Sequence, residues 1–84
     1  MNRAEIEIEY CVECMFLPRA IELAQALLTN HADKIKSLAL VPGHDGVFDV
    51  TVNNKKIFAM EGVLPKPDYI QKRVGEALGG EADA

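Results

Sequence analysis

The stretch Tyr10-Cys11-Val12-Glu13-Cys14-Met15-Phe16 decides how the rest of the chain is read. It holds both cysteines of the 84-residue sequence, with two residues between them. Upstream, Glu5-Ile6-Glu7-Ile8-Glu9-Tyr10 alternates with a period of two, the pattern of a half-buried strand with Ile6, Ile8 and Tyr10 on one face. Downstream the apolar spacing becomes helical. From Leu17 to about Asn30, the residues Leu17, Ile21, Ala24 and Leu28 form a stripe, widened by Ala20 and Leu27. Pro18 is tolerated only near a helix start, so the helix is expected to begin at or just inside the cysteine motif. A Cys-x-x-Cys pair at a strand-to-helix junction is a layout used by redox dithiols. The two intervening residues let the thiols close a small ring, and free N–H groups at a helix start stabilise a thiolate.

The remaining elements follow in order. Asn30-His31-Ala32-Asp33 reads as a stop and loop, and Ile35 to Val41 as a second strand bounded by Pro42-Gly43. Gly43-His44-Asp45-Gly46 is a turn. Val47 to Val52 alternates again, with Phe48, Val50 and Val52 on one face. Asn53-Asn54 suits a tight turn with positive φ, and Lys55 to Met60 returns as the partner of a hairpin. The connector Glu61 to Pro67 is proline-rich. Asp68 is placed to cap a last helix carrying Ile70, Val74, Ala77 and Leu78, ended by Gly79-Gly80. One domain over 1–80 and a disordered tail at 81–84 are expected.

The order β-α-β-β-β-α predicts an α/β domain with a right-handed parallel crossover first and an antiparallel hairpin after it. The third strand is most simply placed beside the first. Both helices are expected on one face of a four-stranded mixed sheet, because covering the other face would bury Glu5, Glu7 and Glu9. In this topology the cysteine loop, the loop Pro42 to Gly46 and the connector Glu61 to Pro67 share one end of the sheet. The candidate groove residues there are Val12, Glu13, His44, Gly46 and Pro65.

Composition bounds the function. Hydrophobic residues are 49%, charged residues 26%, and the net charge is −4 with no clustered basic stripe, so neither nucleic acid nor an anionic membrane is an expected partner. No apolar run reaches the roughly 20 residues of a membrane span, and no secretory h-region opens the sequence. Two cysteines in such a chain fit a reducing compartment, and the protein is read as cytoplasmic. A monomer or a weak dimer is expected.

The sequence resembles the selenoprotein W family, the Rdx group of small thioredoxin-like proteins. The resemblance spans nearly the whole chain: Tyr10-Cys11-Val12-Glu13-Cys14 after an initial strand, then Gly46-Val47-Phe48-Asp49-Val50, then Gly62-Val63-Leu64-Pro65 before a closing helix. It implies a thioredoxin-like two-layer βαβββα sandwich, thiol-based redox activity and links to glutathione; no cofactor is expected, with glutathione a candidate co-substrate. Two departures stand out. Animal members often carry selenocysteine at the position matched by Cys14, which here is cysteine. No proline stands immediately before the third strand, where thioredoxin carries its cis-proline; Pro42 is four residues early and Gly46 occupies the strand start.

In dithiol exchange one thiolate attacks a disulfide and the other resolves the mixed disulfide. Cys11, in the loop at the strand end, is expected to attack. Cys14, nearer the helix and expected to be more buried, would resolve. The selenocysteine position of the relatives points instead to Cys14 for peroxides. Glu13 disfavours the thiolate, which predicts a thiol not far below the ordinary pKa of about 8.5 and a reducing couple. His44 is a candidate acid or base, although a solvated turn histidine is the plainer reading. His31 reads as surface, Tyr10, Phe48 and Phe58 as packing, and Asp49 as facing solvent or a cross-strand lysine. Met15-Phe16-Leu17 is either core or a docking patch.

Protein or small-molecule disulfides are the expected partners. Two other classes compete. A Cu(I) carrier also places Cys-x-x-Cys after a first strand. Such domains end on a strand, however, and carry Met where Glu9 stands here. Two Cys with two scattered His have the wrong spacing for a structural zinc site. A non-catalytic redox-sensing module is the third reading.

Overall fold

The structure, a computed structural model, describes residues 3–80. Strand β1 spans Ala4–Cys11, helix α1 Leu17–Asn30, β2 Ile35–Gly43, β3 Phe48–Val52, β4 Lys55–Ala59 and helix α2 Pro67–Gly75. A 3-10 turn, Ala32–Lys34, leads into β2, and a π-helical turn, Glu76–Gly80, follows α2. The tail expected at Glu81–Ala84 lies outside the described residues. The sheet order is β2-β1-β3-β4, parallel between β1 and β2 and antiparallel elsewhere. This is the expected thioredoxin-like βαβββα arrangement, with the third strand beside the first. No helix among the described residues is long and apolar enough to cross a membrane.

Alternation in β1 does what it predicts. Ile6 and Ile8 are buried, and Glu5, Glu7 and Glu9 are exposed on the opposite face. Both helices pack on the apolar face, where Ala20, Leu23 and Leu27 of α1 and Ile70 and Val74 of α2 join Ile6, Ile8, Phe48 and Val50 in one core. The open face carries ion pairs instead. Lys36 Nζ lies 3.5 Å from a Glu5 oxygen, and Lys56 Nζ lies 2.9 Å from Asp49 Oδ2. Asp49 stands opposite Glu9 in the β1–β3 ladder, so Lys56 relieves two facing carboxylates.

Four local expectations need correction. The buried face of α1 is Ala20, Leu23, Ala24 and Leu27, while Leu17, Ile21 and Leu28 are exposed. At 3.6 residues per turn, that face is rotated by roughly 80° from the stripe Leu17, Ile21, Ala24 and Leu28. The helix is apolar over more than one face, and the sheet takes the side with two alanines, which allow close approach. Second, α1 begins at Leu17 with Pro18 in its first turn, outside the motif rather than within it.

Third, β2 continues through Pro42 to Gly43, since Pro is tolerated on an edge strand. Fourth, Lys66 and not Asp68 is the N-cap residue of α2; Pro67 opens the helix and Asp68 sits in its first turn. The hairpin turn is as read, with Asn53 and Asn54 at φ 52° and 68°.

Candidate functional site

Cys11 is the last residue of β1 and pairs with Gly43, the last residue of β2. Beyond it the chain turns back on itself: Met15 N–H donates to Val12 O at 3.1 Å, and Phe16 N–H donates to Cys11 O at 3.3 Å. Met15 takes a left-handed φ of 61° to close this turn. Phe16 then enters the core, edge-on to Phe48 with ring centroids 5.8 Å apart. The loop therefore hangs between a strand end and an aromatic anchor.

Cys11 and Cys14 are joined as a disulfide, with their Cα atoms 5.3 Å apart. The backbone N–H of Cys14 also points at Cys11 Sγ, 3.2 Å away. Cys11 is fully buried, whereas Cys14 is exposed. This reverses the expected exposure of the pair. Cys11 belongs to the strand rather than the loop, and the loop folds back over it, leaving Cys14 at the outer bend. The helix-start contribution to thiolate stability also weakens, because α1 begins three residues after Cys14. The N–H that serves Cys11 is that of Cys14 itself.

The loop is fastened to the β2–β3 turn by three contacts in succession. Val12 N–H donates to Gly43 O at 3.0 Å. His44 Nδ1–H donates to Glu13 Oε1 at 3.0 Å, and Asp45 N–H donates to Glu13 Oε2 at 3.4 Å. The His44 contact holds the Glu13 carboxyl below its ordinary range, helped by backbone N–H groups of Glu13 and Asp45. Glu13 in turn raises His44 above the usual imidazole value. Asp45 and Gly46 bring the turn round with φ of 62° and 80°. Gly46 lies within this turn and not at the strand start, since β3 opens at Phe48.

Of the candidate groove residues, Val12, Glu13 and His44 are thus brought together at the thiol loop, with Gly46 shaping the turn that carries His44. Pro65 is tied elsewhere: its carbonyl accepts from Arg19 Nη2 at 3.1 Å, joining the connector to the first turn of α1. Gly43 was read only as a turn residue. A Cβ there would lie 2.7 Å from Glu9 Oε2 and 2.8 Å from Val47 Cγ1, so glycine permits the close packing opposite Cys11. Met15 is 79% exposed, which favours the docking-patch reading for it, while Phe16 belongs to the core periphery.

Comparisons with known proteins agree with this fold. The sequence profile of the Rdx family matches residues 5–76. A crystal structure of a protein from Bordetella parapertussis is 33% identical, with a TM-score of 0.82, covering 92% of this chain and 100% of its own. A selenoprotein W-related protein from Vibrio cholerae is also 33% identical with a TM-score of 0.82, covering 92% of this chain and 99% of its own. No curated protein matches the chain.

Proposed function

The chain belongs to the Rdx family, and from that premise we propose that it is a thiol–disulfide redox protein in which Cys14 attacks and Cys11 resolves. One observation carries the assignment of roles: the only solvent-open sulfur position of the pair is Cys14, while Cys11 is buried beneath it. A nucleophile must reach its substrate, and a resolving thiol need only reach its neighbour. The Cys14 thiolate attacks a substrate disulfide, forming a mixed disulfide and releasing one thiolate, which takes a proton from water. Cys11 then attacks the Cys14 sulfur. The Cys11–Cys14 disulfide forms, the second substrate thiolate leaves, and two electrons have passed to the substrate. A dithiol or two monothiols from the cell's reducing pool regenerate the pair, which suits work in the cytoplasm.

The test uses single-cysteine variants. Reduced Cys11→Ser mixed with hydroxyethyl disulfide is expected to accumulate a stable mixed disulfide on Cys14, seen by intact mass. Cys14→Ser is expected to react at least roughly tenfold more slowly, since its remaining thiol is covered. Faster trapping on Cys11 than on Cys14 would overturn the assignment.

A further inference from the structure

The rim of the open thiol has a definite chemistry. Val12 is 48% and Met15 79% exposed on the two sides of Glu13 and Cys14. Apolar exposure continues along α1 through Leu17, Ile21 and Leu28, a span of about 16 Å at 1.5 Å per residue. That is longer than a tripeptide-sized ligand needs. The charged groups fastened to the loop and its turn are Glu13, His44 and Asp45, and Glu9 lies against Gly43 on the adjoining strand. Of the cations toward this end, Arg19 and Lys56 are engaged, while Lys66 stands exposed in the connector beyond Pro65. Arg19 is held by Pro65 O and Glu22, and Lys56 by Asp49.

We propose that Cys14 selects disulfides carried in polypeptide segments with apolar and basic flanks, and discriminates against anionic disulfides such as glutathione disulfide. This rests on the redox reading above and adds its substrate class. Apolar side chains of the substrate cover Val12 and Met15, and its cations face Glu13, Asp45 and Glu9. Glutathione disulfide carries four carboxylates against two ammonium groups, and at the thiol loop and its turn it meets the acidic side chains Glu13, Asp45 and Glu9. Glutathione, the candidate co-substrate, is on this reading the slow one. His44 modulates the effect. When protonated it offsets one of the two acids it faces, Glu13 and Asp45, and when neutral it leaves both charges in force.

The experiment measures single-turnover oxidation of the reduced protein by matched peptide disulfides. The probes are symmetrical disulfides of Lys-Leu-Cys-Leu-Lys, Glu-Leu-Cys-Leu-Glu and Lys-Ser-Cys-Ser-Lys, blocked at both ends, together with glutathione disulfide. Each rate is divided by that of dithiothreitol with the same probe, which removes intrinsic reactivity. The Lys-Leu probe is expected to exceed both the Glu-Leu probe and glutathione disulfide by roughly tenfold or more, and the Lys-Ser probe by severalfold. The Lys-Leu to Glu-Leu ratio should rise with pH as His44 loses its proton. It should fall toward one in about 1 M salt. Glu13→Gln combined with Asp45→Asn should lower that ratio severalfold, with formation of the Cys11–Cys14 disulfide as the check that the loop is intact.

Equal normalised rates across the probes would overturn the selectivity and leave the redox reading standing. Oxidation by none of them would overturn both.

Discussion

Oε1 of Glu13 lies 3.0 Å from Nδ1 of His44, across the gap between the cysteine loop and the β2–β3 turn. Both side chains are exposed, so the pair tunes the loop rather than holding the fold together. Glu13 lies directly beside Cys14 in sequence, so the contact brings a titrating imidazole to the thiol loop.

The pair has a pH window with a defined sign. His44 has a raised pKa in the folded state, so its contribution is complete below its unfolded value and is lost as pH rises through the folded one. Glu13 has a lowered pKa, so its contribution is present above its unfolded value and lost as pH falls through the folded one. His44→Ala should therefore lower the melting temperature slightly at about pH 5.5 and have less effect at about pH 8.5. Melts of both proteins at the two pH values check this. A larger effect at the higher pH would contradict the ion pair.

Phe48 anchors the loop from below. It is 1% exposed and meets Phe16 edge-on, and Phe16 is the residue whose N–H closes onto Cys11 O. Phe48→Ala should cost about 3–5 kcal/mol, the usual range for a buried phenylalanine. Urea unfolding would measure the loss, and alkylation of reduced protein should show Cys11 becoming more accessible in the variant.

Gly43 makes a smaller but local prediction. Gly43→Ala brings a methyl group against Glu9 and Val47, opposite Cys11. Glu9 can swing its carboxylate away, whereas Val47 has less room to move, so a cost of about 1 kcal/mol is expected. Hydrogen exchange at the Val12 amide, which Gly43 O accepts, should quicken by more than the global loss of stability explains.

The rotation of α1 separates two substitutions that look alike in the sequence. Leu27→Ala should cost about 2–5 kcal/mol, because Leu27 is 1% exposed in the core. Ile21→Ala, at a residue 48% exposed, should stay within about 0.5–1 kcal/mol. Denaturant midpoints decide it. Equal costs would mean that Ile21 faces the sheet.

The strands were legible because their burial is one-sided. Ile6 and Ile8 against Glu5, Glu7 and Glu9 allow only one facing, and the hairpin follows from Asn53-Asn54 between two β-rich runs. The topology followed from keeping those glutamates in water. The facing of α1 was not legible, since a helix with leucine, isoleucine or alanine at eight of its 14 positions has no single apolar stripe. Nor did the motif reveal which thiol is open. Cys11 shares the parity of Glu5, Glu7 and Glu9, yet the loop's return through Phe16 covers it completely. The Glu13–His44 contact needed the actual geometry of two loops, although placing His44 at the thiol end of the sheet came from strand order alone.

The proposed function turns on a two-electron couple between Cys11 and Cys14. It is tested most directly by titrating the purified, metal-free protein through dithiothreitol or glutathione redox buffers, trapping free thiols by alkylation and reading intact mass. The predicted result is joint loss of both thiols, a decrease of about 2 Da without an adduct, and a midpoint roughly between −200 and −300 mV. Thiols that remain free throughout, or a single stable glutathione adduct with no internal disulfide, would contradict it.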